Sequence, residues 1–118
     1  MRFIEGVFQM PEGSAKNEAE PWPQMWRDNS GTIPAYASMP PKPLACDELG
    51  RIHSPTLVAQ GAESAVDYSM MADEIAACLG NASTYSVAGH NHSLPMRDPA
   101  RFAAVVKGFL MTLDGETR

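Results

Sequence analysis

From Ile52 onward the chain repeats one alternation that leaves few folds open: a short apolar run, a stretch at helical period, a second short run and a second helical stretch. The first run, Pro55-Thr56-Leu57-Val58-Ala59-Gln60-Gly61, is bounded by proline and glycine, which suits a buried strand. Met71, Ile75, Cys78 and Leu79 then fall at helical spacing and predict a helix over about Val66 to Leu79, stopped by Gly80-Asn81. Ser83-Thr84-Tyr85-Ser86-Val87 is the second strand candidate. Asp98-Pro99 opens a last helix with a capping side chain and a proline in the first turn. Its apolar positions Phe102, Val105, Val106, Phe109, Leu110 and Leu113 repeat at i, i+3, i+4, i+7, i+8 and i+11, the clearest periodicity in the chain. Strands joined through a helix pair in parallel, with a right-handed crossover. A parallel sheet needs both faces covered, and two strands with two or three helices do that poorly, so the segment reads as the edge of something larger.

The first 50 residues differ in character and set a boundary between 1–50 and 51–118. Seven of the ten prolines lie there, and Gly13 to Glu20 is small, polar and loop-like. Trp22, Met25, Trp26 and Asn29 are spaced as on a short helix, with Pro21 and Pro23 at its start and Ser30-Gly31 at its end. Pro40-Pro41-Lys42-Pro43 forces an extended connector, because proline disfavours helix in the residue before it. Trp22 and Trp26, with Met25 and Tyr36, fit a substrate-facing surface and an ordinary packed helix face equally well. The eight methionines are as ambiguous, since methionine fills irregular cores as readily as pockets.

With 44% hydrophobic and 19% charged residues among 118, the chain has a globular balance and enough length for one core. Its formal net charge of −5 and nine unclustered basic residues give no stripe for neutralising phosphates, which excludes nucleic acid as a partner. No apolar run reaches membrane-spanning length. The opening Met1-Arg2-Phe3-Ile4-Glu5-Gly6-Val7-Phe8 is broken by Glu5 and Gly6 and carries no small-residue cleavage site, so no signal peptide is read. Cys46 and Cys78 lie far apart with no Cys-x-x-Cys spacing, and both are expected as free thiols in a reducing compartment, the cytoplasm.

Taken in order, Pro55-Thr56-Leu57-Val58-Ala59-Gln60-Gly61-Ala62-Glu63, Gly89-His90-Asn91-His92, Asp98-Pro99 and Phe109-Leu110 resemble the end of the α/β-hydrolase fold family. The resemblance runs over about Ile52 to Leu110, and Met25-Trp26-Arg27-Asp28-Asn29 with the proline-rich connector looks like the end of that family's cap. It implies a partial α/β-hydrolase fold: two parallel strands with a crossover and carboxy-terminal helices, preceded by a short helical cap-like segment. The implied chemistry is hydrolysis of an ester-like small-molecule substrate through an acyl-enzyme, with no cofactor and no metal.

On that resemblance His92 occupies the Gly-x-x-His position and is the candidate general base, set at the rim where α/β proteins bind ligands. Glu63 is the candidate acid, closest to the expected turn, while Asp67 has the plainer role of complementing a helix start. The nucleophile is missing: no serine here sits in Gly-x-Ser-x-Gly, and the family's order of serine, acid and histidine places it upstream of Met1. The chain is therefore expected to be inactive alone. Two rival readings remain. One is a non-catalytic interaction module or truncated product that self-associates or binds a partner through an exposed strand edge and uncovered apolar helix faces. The other is a small metal site on His90 and His92, for which the chain offers no obvious third ligand.

Overall fold

The computed structural model describes residues 1–40 and 43–116, and the chain divides into two units, Met1–Pro43 and Leu44–Arg118. Of the expected proline-rich connector, Pro41 and Lys42 lie outside the described residues. Residues 44–50 belong to the second unit, although the change in composition suggested a division after residue 50.

In the first unit α1 (Arg2–Val7) leads through a 3-10 turn (Ala15–Asn17) to α2 (Trp22–Asp28) and α3 (Thr32–Ser38). Pro23 lies in the first turn of α2 and Pro34 in that of α3, where the missing amide hydrogen would have had no helical acceptor. The expected helix over Trp22 is present. Helices α1 and α3 were not foreseen: Glu5-Gly6 read as a break in the opening apolar stretch, and Ser30-Gly31 as the end of the helix before α3.

Glu5 explains why its charge does not break α1. Its side chain is buried, and its Oε1 accepts the Ala15 backbone N–H at 3.0 Å. That hydrogen bond, with one from Gly13, holds the carboxyl below its ordinary range against the opposing effect of burial. The stabilisation is therefore complete above the unfolded-state value and is lost as pH falls through the lower folded value. Both tryptophans lie in this unit. Tryptophan-monitored unfolding should show its midpoint falling as pH drops through and below the ordinary carboxylate range, and Glu5→Gln should flatten that dependence. An identical pH profile in the variant would remove Glu5 from the account.

In the second unit α4 (Cys46–Leu49) precedes β1 (Thr56–Gly61), α5 (Val66–Cys78), β2 (Ala82–Val87), α6 (Leu94–Arg97) and α7 (Pro99–Glu116). The strands pair in parallel, in step from Thr56 opposite Ala82 to Gly61 opposite Val87. The α/β arrangement expected from the alternation is present, as a two-stranded parallel sheet with its crossover helix and carboxy-terminal helices. Asp98 caps α7 as expected, its Oδ1 accepting the Arg101 N–H at 2.9 Å. Among the described residues, Leu79, Val87 and Leu94 are the buried hydrophobic ones of this unit. The apolar stripe of α7 is wider than the narrow sheet can cover: Val105, Val106 and Phe109 are half-buried, while Phe102, Leu110 and Met111 remain exposed.

One expectation is corrected. Cys46 and Cys78 are joined in a disulfide, with their Cα atoms 5.0 Å apart. The fold brings α4 against the end of α5, a long-range approach that the spacing of the cysteines in sequence does not encode. No helix among the described residues is long and apolar enough to cross a membrane.

Candidate functional site

Because the two strands end level, the turns that follow them emerge side by side at the carboxyl edge of the sheet. The turn after β1 closes with Ser64 N–H donating to Gly61 O at 3.1 Å. Two backbone bonds then fasten it to the end of β2 and to the loop beyond: Ala62 N–H to Val87 O and Glu63 N–H to His90 O, each 2.9 Å. The loops meet over Gly61, where a Cβ would lie within 3.0 Å of backbone atoms of both His90 and Asn91. Gly89, at φ +75°, supplies the left-handed residue that turns the chain back after β2. Both glycines of the sequence pattern thus have a backbone reason to be there.

His90 is half-buried, its Nδ1 3.0 Å from Ala88 O and its Nε2 3.3 Å from Asp98 Oδ2. It links the end of β2 to the capping residue of α7, and with both nitrogens engaged it holds the loop in place. Asn91 Oδ1 accepts the Ser93 N–H at 2.9 Å and the Ser93 hydroxyl at 2.6 Å. Ser93 and Leu94 are buried, so the chain just after His92 is anchored. His92 itself is exposed, its ring stacked on Tyr68 of α5 with centroids 4.3 Å apart and planes 13° from parallel.

The acid and histidine turns are brought together through Glu63 and His90 backbone, whereas no side-chain bond joins Glu63 to His92 among the described residues. Glu63 and Asp67 are both exposed, Asp67 in the first turn of α5. Tyr68 was not foreseen as part of the site. The one signal for it was an aromatic residue in the first turn of the helix that follows the acid turn. Gln60 Oε1 and Ser64 Oγ are buried with no hydrogen-bond partner among the described residues, each such orphan costing about 1–3 kcal/mol. No group of three or more histidine, cysteine or carboxylate residues among them is placed to hold a metal ion.

Within the first unit, the aromatic stripe divides. Trp26 packs against Phe8 with ring centroids 6.3 Å apart, and Trp22 is half-buried. Met25 and Tyr36 are exposed, and Tyr36 joins Phe3, Ile33 and Met39 along an apolar groove of about 410 Å³. What the carboxyl edge of the sheet offers chemically is an imidazole and a carboxylate on adjoining turns.

Neither a protein-family profile, a curated protein nor a solved structure matches this chain.

Proposed function

We propose that the chain is the carboxy-terminal portion of a serine-type α/β-hydrolase, supplying the histidine and acid turns of a site whose nucleophile comes from elsewhere. The observation that carries this reading is the junction at Gly61, where the turn after one parallel strand and the loop after the next are fastened together at the carboxyl end of the sheet. His92 is the proposed general base and Glu63 the proposed acid that orients it, which requires their side chains to come together when the missing part is present. The unpartnered Gln60 and Ser64 oxygens fit a fold that is completed by further structure. The substrate class is a small-molecule ester, and the chain alone, lacking Gly-x-Ser-x-Gly, is inactive. The cytoplasmic placement expected from free thiols loses that support with Cys46 and Cys78 paired, and a closed pair fits an oxidising compartment.

The test is complementation. An amino-terminal half carrying the strand, Gly-x-Ser-x-Gly turn and helix is supplied in trans, and hydrolysis of a chromogenic ester is followed. Turnover should appear only in the mixture and fall by about 10²–10⁴-fold with His92→Ala. Turnover indifferent to that substitution would sink the assignment of His92. A second reading, self-association through the uncovered surface, is favoured by the exposure of Val66, Met70, Phe102, Leu110 and Met111 around a two-stranded sheet. Sedimentation of the same unmixed sample decides it, since a monomer at every concentration excludes that reading.

A further inference from the structure

Paired parallel strands send partnered residues to the same face, so Leu57 with Ser83, and Ala59 with Tyr85, share one side of the sheet. On that side α7 leaves a cleft of about 340 Å³, within the range of small-molecule sites. Its walls are largely apolar, from Leu57, Val105 and Phe109, and Arg101 and Tyr85 supply polar groups, the guanidinium Nη2 3.4 Å from the Tyr85 hydroxyl. Three other arginines are ion-paired: Arg2, Arg27 and Arg51 lie against Glu12, Glu20 and Asp47. Asp98 takes only the backbone N–H of Arg101, and among the described residues no carboxylate pairs with its guanidinium, in a chain whose formal net charge is −5. A guanidinium left without an acid beside an apolar cleft matches a ligand that brings its own carboxylate, which the planar fork can take through two parallel hydrogen bonds.

We propose that the cleft between the sheet and α7 binds an amphipathic monoanion, a carboxylate on a short apolar tail, with Arg101 holding the carboxylate and Leu57, Val105 and Phe109 covering the tail. This site is separate in its residues from the His92 turn and does not depend on the hydrolase reading. Gly108 lines the cleft, and a Cβ there would meet nothing within 4 Å, so this position has room for a side chain at the cleft wall.

The test is an amide NMR titration of the whole chain with sodium octanoate, using 1-octanol and 1-octylamine as neutral and cationic controls. Octanoate should shift the amides of Ser83 to Tyr85 and Ala104 to Gly108 saturably. Arg101→Gln should weaken octanoate by about tenfold or more while leaving octanol unchanged, and Arg101→Lys should recover part of the loss. Gly108→Leu, which also improves helix propensity, should remove binding of both. The proposal is overturned if octylamine binds as well as octanoate, if Arg101→Gln leaves octanoate binding intact, or if the shifts map elsewhere on the chain.

Discussion

Replacing Gly61 with alanine should cost the second unit about 3 kcal/mol and release the histidine loop from the acid turn. The added Cβ would meet backbone on two consecutive residues, with Asn91 O at 2.5 Å and its carbonyl carbon at 2.7 Å. Backbone cannot swing aside as a flexible side chain can, so the loop must lift or the strand end must shift. Either movement stretches the Glu63 N–H to His90 O bond and the Ala62 N–H to Val87 O bond, the two contacts that fasten the turns. Denaturant unfolding gives the free energy, and amide chemical shifts from His90 to Ser93 report the loop. Gly80→Ala is the control, because a Cβ there meets nothing within 4 Å, and it should stay within about 0.5 kcal/mol. If Gly61→Ala unfolds with the wild type and leaves the loop shifts in place, the close approach has no energetic meaning.

Opening the Cys46–Cys78 bond should be the other large effect. The bond closes a loop of sequence separation 32, and the chain-entropy relation gives roughly 3–4 kcal/mol for such a loop. Urea unfolding with and without a dithiol reductant, and of the Cys46→Ser/Cys78→Ser double variant, should show the reduced protein and the variant alike and both less stable than the oxidised form. Coincident curves for all three would mean that α4 contributes its position without the bond. The cross-link ties α4, at the start of the unit, to the end of the crossover helix. Its loss therefore acts where the entering chain joins the layer that carries both strands.

The core of this unit was legible because its signals are local. Proline and glycine bracket β1, helical spacing runs through α5, and Asp98-Pro99 announces α7. Most short helices were not: α1, α3 and α4 have six, seven and four residues, too few turns for periodicity to accumulate, and α2, also of seven, stood out only through its aromatic spacing and flanking prolines. The pairing of Cys46 with Cys78 and the stacking of Tyr68 on His92 escaped for another reason: each depends on segments distant in sequence being carried together. The same division holds at the candidate site. Gly61 and Gly89 stood out as turn residues, but the crowding of Gly61 by the other loop became visible only with both loops in place.

The level register of the two strands also limits how this sequence can change in length. Because partnered residues share a face, deleting one residue inside 82–84 would reverse the sides of everything beyond it and carry Tyr85 to the face opposite the α7 cleft. An insertion at Gly80, between helix and strand and ahead of the Asn81 carbonyl that accepts the Thr56 N–H, leaves the alternation of 82–87 as it is. Insertions and deletions in natural variants should therefore gather in the connecting segments and leave 56–61 and 82–87 at constant length, so that a gap inside either strand marks a lineage in which the two-sided sheet has been rebuilt.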